Sequence, residues 1–295
     1  MKYQLKDFIS SQYIINHGYF SHTGSAKSTY NHYILCYAVN QEYLNIALNN
    51  DAISAIISTP ELILGHTTKG IVIHPEPDIL YGEIVNQLIH NNQLHPKIDY
   101  GIDPTATIHP TAIVSKKCKI GKHVYIGRNA IIEDYTILDE GVIIGDNVVI
   151  GCDGFYFKRD KTGKLVKFLH TGGVHLHKNV EVMTGSMVQR AHDVGFTLVE
   201  EGTKISVNVS IGHSSHIGKH NMITGNVHIA GRVKVGDYCW IGTSSTISDS
   251  ITIGNNVTIR IGSVVVKNVK EDEEVSGNFA YTHSKRLKNL IKEQR

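Results

Sequence analysis

Residues 199–265 read VEEGTKISVNVSIGHSSHIGKHNMITGNVHIAGRVKVGDYCWIGTSSTISDSITIGNNVTIRIGSVV. Within this stretch Val199, Ile205, Ile211, Ile217, Ile223, Ile229, Val235, Ile241, Ile247, Ile253, Ile259 and Val265 stand six residues apart without a break. A helix repeats near 3.6 residues and a strand near two, so neither accounts for the spacing. One deep aliphatic in every six describes one flat side of a parallel β-helix, a solenoid of hexapeptide repeats. Three sides make a coil of 18 residues, with each anchor pointing inward and stacking on the anchor of the next coil.

The same period runs upstream. Ile102, Ile108, Val114, Ile120, Ile126, Ile132, Leu138, Ile144 and Ile150 form one tract, and Leu176, Val182, Val188 and Val194 a second. These 25 anchors, at three per coil, predict about eight coils. A small or aliphatic side chain precedes many anchors by two, as at Ala106, Ala112, Cys118, Val124, Ala130, Val227, Val233, Cys239 and Ser245. Glycine follows many anchors directly (Gly121, Gly127, Gly145, Gly212, Gly218, Gly236, Gly254) and is expected to take the special backbone conformations of the corners. Composition agrees: 38 Ile and 26 Val against 16 Leu favour strands over helices. The step of five from Val194 to Val199 predicts a small bulge. Residues 151–173, GCDGFYFKRDKTGKLVKFLHTGG, break the register and are expected to form a surface insertion at the binding face.

Residues 1–100 lack the repeat. DAISAIIS (Asp51–Ser58) and GIVIH (Gly70–His74) read as buried strands, and Asp78 as the cap of a helix over Ile79–His90. The division expected is a small α/β domain at 1–100, the β-helix at 101–271, and a polar tail at 272–295 ending in a short helix over 284–294. The fold class is mainly β.

The 295 residues carry a net charge of +2 with 19% charged side chains, giving no electrostatic case for nucleic acid or for a membrane surface. No apolar run reaches the ~18 residues of a membrane span. MKYQLKDFISS lacks the apolar core of a secretory signal. Cys36, Cys118, Cys152 and Cys239 show no CxxC spacing and read as reduced thiols of a cytoplasmic protein.

Three local motifs point further. CYAVNQEYL (Cys36–Leu44) places Tyr37, Asn40 and Tyr43 three residues apart; GCDGFYF (Gly151–Phe157) is a Gly-x-Asp-Gly-Phe loop; IGHSSHIG (Ile211–Gly218) carries His213, with Gly231 following in IAGRV. With the repeats, these resemble the hexapeptide-repeat acyltransferases. The whole architecture is similar to the UDP-3-O-acylglucosamine N-acyltransferases of lipid A synthesis and their relatives that N-acylate nucleotide-linked amino sugars. The resemblance implies a left-handed β-helix, a homotrimer, and an acyl-coenzyme A or acyl carrier protein thioester as cosubstrate, with no tightly bound cofactor and no metal. It implies that Tyr37, Asn40 and Tyr43 hold the nucleotide base, that His213 is the catalytic base, and that the Gly231 amide faces the thioester oxygen. Departures stand at the acceptor and acyl sites. Ser250 replaces the family's second histidine, and Val207 the asparagine six residues before the base. Gln189-Arg190-Ala191 stands for Asp-Arg-Gly, and Phe168-Leu169-His170 for Ile-Pro-Gln. The C-terminal extension is also shorter. These changes suggest a smaller amino sugar than the lipid A precursor.

The chemistry agrees. An amine attacking a thioester needs a base with a pKa near neutrality, and the developing oxyanion needs a fixed N–H donor. Gly231 lies 18 residues after His213, one full coil, which puts the two about 4.8 Å apart in the strand-pairing direction. His216 could line the same groove; His192 and His228 are weaker candidates. Asp153 could hold a sugar hydroxyl or the amine. His175 and His177 alternate on one strand and could bind metal, but no third ligand is evident. KRLKNLIK (Lys285–Lys292) could meet the phosphates of coenzyme A or an acidic carrier protein.

The expected function is therefore N-acyl transfer from an acyl thioester to the amine of a nucleotide-linked amino sugar, in surface polysaccharide synthesis. One alternative is the lipid A enzyme. Another, from a different class, is a zinc enzyme like the γ-carbonic anhydrases, suggested by IGH at Ile211–His213; Gly218, however, occupies the place of their next histidine. A non-enzymatic solenoid with an ice-binding face would need one regular Thr-rich side, which the outward positions lack.

Overall fold

The computed structural model describes residues 2–28, 32–277, 282–285 and 291–292. From Gly101 to Val275 the chain winds as a left-handed parallel β-helix with three flat sides. The sides are sheets of eight, eight and nine short strands, nearly all of two to four residues. Successive strands of a side pair in parallel at a register of 18, as in Ser210↔His228↔Thr246↔Val264. The anchors fill the interior: Ile120 to Ile150, Leu176 to Val188 and Val199 to Val265 belong to one core. Ile102, on the first coil, has no coil beneath it and is 53% exposed. The strand Glu274–Val275 continues one side beyond residue 271.

Several expectations need correction. The glycines that follow the anchors do not supply left-handed corners. The positive φ angles fall three residues after the anchors, mostly at Asn, Ser, His and Tyr, as at Asn208, Ser214, His220 and Asn226. The post-anchor glycines answer a different need. A Cβ on Gly212 would lie 2.5 Å from the Ala230 carbonyl carbon, and one on Gly236 2.7 Å from that of Gly254. The next coil passes too close for a side chain. Val194, secondly, is not an anchor. It packs on the front domain, while residues 191–195 loop out before the strand Phe196–Val199 resumes the side.

The front domain is a five-stranded sheet in the order Ile14–Asn16, Gly70–Ile73, Ile53–Ser58, Ile34–Ala38, His22–Thr23. All neighbours are parallel except Ile14–Asn16 with Gly70–Ile73. Helix α1 (Gln41–Asn49) covers one face and α2 (Pro77–His90) the other. Asp78 does not cap α2. Glu76 holds the cap position with Pro77 starting the helix, and the Asp78 carboxylate instead meets Lys158 Nζ at 2.8 Å.

The break at 151–173 is a hairpin, Phe157–Arg159 against Leu165–Lys167, clamped onto α2. Asn86 donates to the Lys167 carbonyl at 2.8 Å and accepts from the Leu169 N–H at 2.9 Å. Gly82 lets the Phe168 ring approach so closely that a Cβ there would sit 2.3 Å from it. The hairpin thus joins the two lobes. Most of the C-terminal helix expected over 284–294 lies outside the described residues. Among them no helix is long and apolar enough to cross a membrane.

Candidate active site

His213 sits two residues past the anchor Ile211, at the corner between two sides of the prism. Its backbone is held on both flanks. The Gln189 side chain accepts from its N–H at 3.2 Å, and its carbonyl accepts from the Arg232 N–H at 2.8 Å. The imidazole reaches along the prism axis to the next coil and lies against Gly231. A Cβ on Gly231 would stand 2.5 Å from His213 Nε2. Only glycine leaves room for the ring. Gly231 is buried, its carbonyl accepts from Ser250, and its N–H has no hydrogen-bond partner among the described residues. An imidazole and an unspent N–H donor on adjacent coils are thereby brought together, as the spacing of 18 predicts.

Two further histidines close the site. His170, from the end of the hairpin, and His192, from the 191–195 loop, have ring centroids 5.4 Å and 6.2 Å from that of His213. The Tyr156 ring stands edge-on to His192 at 4.3 Å. Gly154 is pressed between His170, Gln189 and His213, each within 3.1 Å of where its Cβ would be. The Gly-x-Asp-Gly-Phe loop therefore matters through Gly154, which forms one wall of the site. Asp153 is exposed and faces Lys167 Nζ at 3.1 Å and Arg190 Nε at 3.8 Å.

Burial sets the protonation. The His213 imidazole is pushed down to about 4, first by burial, then by the Arg232 guanidinium and by His192, with Asp249 and Asp193 opposing. Burial and His192 push His170 down to about 3. Neither His170 nitrogen, nor His213 Nδ1, has a hydrogen-bond partner among the described residues. Burial and the neighbouring Tyr37 raise Tyr156. At neutral pH His213 and His170 are therefore neutral imidazoles.

The remaining candidates are placed elsewhere. His216 turns onto the adjacent side, with Nε2 3.0 Å from Glu200 Oε1, and does not join the cluster. Asn40 caps α1, its Oδ1 accepting from the Tyr43 N–H at 2.9 Å. Tyr37 lies on the α2 face of the sheet, packed against Tyr81 at 5.1 Å, with Lys158 Nζ over the ring and bonded to its hydroxyl at 3.0 Å. Tyr43, on α1, belongs to the opposite face and is 38% exposed, with Lys27 over its ring. The chain between these tyrosines crosses the carboxyl ends of the parallel strands. There a cavity of about 310 Å³ is lined by Val39, Thr59, Pro75–Ile79 and the hairpin's Arg159–Lys161. Tyr156 and these hairpin cations carry no signal in the sequence beyond the insertion itself, and His170 shows only as part of Phe168-Leu169-His170, which stands for the resembled family's Ile-Pro-Gln.

A family model described as the hexapeptide repeat of succinyl-transferase matches residues 118–152 and 232–267. The UDP-3-O-acylglucosamine N-acyltransferase of Helicobacter pylori is 39% identical over 75 residues, 25% of this chain and 22% of the relative. That of Herminiimonas arsenicoxydans is 31% identical over 127 residues, 43% and 36%. The chain thus spans only about a fifth to a third of the length of these relatives. Among solved structures, the UDP-N-acetylglucosamine acyltransferase from Campylobacter jejuni is 19% identical with a TM-score of 0.49, over 65% of this chain and 83% of that one. The prism is built of hexapeptide repeats, and the chain is similar over part of its length to the UDP-3-O-acylglucosamine N-acyltransferases.

Proposed function

We propose that this protein transfers an acyl group from an acyl thioester to the amine of a nucleotide-linked amino sugar. The observation that carries the reading is the His213 ring resting against the buried Gly231, whose N–H is unspent. The neutral imidazole takes the proton that the attacking amine sheds, and the Gly231 N–H meets the oxygen on which negative charge develops. Collapse of the tetrahedral intermediate then expels the thiolate of coenzyme A or of a carrier protein. His170 and His192 wall the site and keep water from the thioester.

The nucleotide is assigned to the cavity at the carboxyl ends of the front-domain strands, where open α/β sheets bind ligands. Arg159 and Lys161 line it beside Glu76, Asp78 and Asp160, and Tyr43, outside the lining, offers a stacking surface for the base once Lys27 moves off its ring. Tyr37 does not stack unless Lys158 moves off it. A nearer reading of substrate is favoured by the relatives' name: the curated proteins similar to this chain are UDP-3-O-acylglucosamine N-acyltransferases. Against it stand Ser250, Val207 and the His170 segment. Assaying UDP-3-O-acylglucosamine beside simpler UDP- and dTDP-amino sugars separates the two substrates.

The direct test is His213→Ala. Loss of a general base typically costs 10²–10⁴-fold in rate. The expected result is kcat reduced by at least about 100-fold, with the far-ultraviolet circular dichroism spectrum and nucleotide binding unchanged, because Ile211 and Ile217 carry the core. Activity within about threefold of wild type would remove His213 from the mechanism.

A further inference from the structure

We propose that the side of the prism on which the chain resumes after the insertion carries a site for a first-row divalent metal ion, with His175, His177 and Asp139 as ligands. Sequence spacing shows only the two histidines, which alternate on the strand Gly173–Leu176 and its continuation. The third ligand comes from the preceding coil, 36 residues earlier, across the whole insertion. Leu138 pairs with Leu176, so Asp139 emerges beside His177. His175 Nε2 and His177 Nδ1 approach the same oxygen, Asp139 Oδ2, at 3.0 and 3.2 Å. The three ligand atoms all lie within 4.8 Å of one another.

A plain ion pair explains this less well than a metal does. One carboxylate oxygen is approached by two imidazoles whose ring centroids are 3.9 Å apart. Tetrahedral coordination at Zn–N and Zn–O distances near 2.0–2.1 Å spaces ligand atoms roughly 3.3 Å apart. The two N···O separations, 3.0 and 3.2 Å, are close to that value, and the two imidazole nitrogens lie within 4.8 Å of each other. Both strands are already fixed by their ladders, with the Asp139 N–H on the Leu176 carbonyl and the His177 N–H on the Val199 carbonyl, each at 2.9 Å. Glu200 supplies a partner for the opposite nitrogen. Its Oε2 faces His177 Nε2 at 3.6 Å, and its Oε1 is held by His216 at 3.0 Å. A metal-bound imidazole keeps a proton on its free nitrogen and points it at such an acceptor. His216, displaced from the catalytic groove, has its place in this network. Two imidazoles and one carboxylate select zinc, cobalt or iron(II) over magnesium and calcium. All three ligands are half-buried, which leaves a coordination position for water. Bound there, the ion would pin together the two coils between which the hairpin leaves and re-enters the prism.

The test uses the full chain, free of any purification tag and stripped by a chelator, titrated with Co²⁺ and then Zn²⁺. Expected are one ion per chain, a visible d–d absorption band with Co²⁺ that Zn²⁺ abolishes and excess Mg²⁺ does not, and a higher Tm with saturating Zn²⁺. His175→Ala/His177→Ala and Asp139→Asn should lose the band and the Tm rise, while Glu200→Gln should weaken binding about 10–100-fold. His213→Ala should bind as wild type. No saturable single-ion binding, or binding undiminished in the double histidine variant, overturns the site. Because none of these readouts is acyl transfer, failure here leaves the acyltransferase reading untouched.

Discussion

At the scale of single residues, His213 and Gly231 form one unit. Gly231→Ala keeps the backbone N–H but puts a methyl 2.5 Å from Nε2, so the imidazole must swing away. The expected kcat loss approaches that of His213→Ala, with the fold intact by circular dichroism; an active Gly231→Ala variant would show that the ring is not needed where it lies. The pH dependence follows from the lowered His213 value. A histidine depressed to about 4 is neutral, and able to act as base, at every pH above that value. Its base function is lost only as pH falls through about 4, not through the ordinary histidine range that the sequence alone suggests. An acid limb at higher pH therefore belongs to the acceptor amine and should move when amines of different basicity are compared. A limb fixed near 6.5 across acceptors would contradict the buried, neutral state of His213.

At the scale of elements, the hairpin decides how the two lobes work together. Its Tyr156 and His170 wall the histidine cluster, its Lys158 bridges Tyr37 and Asp78, and its Arg159 and Lys161 line the front cavity. Phe168 is the bolt, seated on Gly82. Gly82→Val places branched bulk where a Cβ already stands 2.3 Å from the ring, so the hairpin must lift from α2. We expect acceptor KM to rise more than tenfold while the prism, which does not touch residue 82, keeps its stability; an unchanged KM would mean that the hairpin does not shape the acceptor site. What was legible beforehand divides along the same line. The prism could be read because every coil repeats one local rule, an inward aliphatic each sixth residue. The nearness of His213 to Gly231 could be read because the coil length converts 18 residues of sequence into one step in space. His170, Asp139 and the lysine bridge could not. His170 meets His213 across 43 residues, Asp139 meets His175 across 36 and Lys158 meets Tyr37 across 121, through the insertion or the lobe contact, and no period encodes those distances. The post-anchor glycines were located correctly but for the wrong reason, since closeness of the next coil and a positive φ leave the same mark in sequence.

At the scale of the whole molecule, the outer faces of the prism are unfinished. On the nine-stranded side Tyr125 pairs with Ile143, and Met222 with Trp240, as ladders of adjacent coils. All four point outward with exposures of 40–50%. On an adjoining side Ile113, Met187 and Val264 are likewise exposed. Scattered apolar residues need no explanation, but stacked pairs on one flat face, here with Glu181 and Lys204 between them, are what a second prism could cover. Three-sided prisms meeting side to side close around a threefold axis, and a heterologous contact that closes makes a ring rather than a filament. The protein is therefore expected to be a homotrimer, and light scattering should give about three times 32.7 kDa. Trp240→Asp puts an unpaired charge at the centre of one ladder and should shift the population toward monomer without disturbing the core, since Ile241 and not Trp240 faces inward. The consequence reaches the chemistry. His213 sits at a corner, so in a ring of prisms its groove lies beside a neighbour's flank, and the thioester arm would run between the two. If dissociation by Trp240→Asp lowers kcat with the thioester saturating, the neighbour completes the site; a fully active monomer would show that one chain holds all of it.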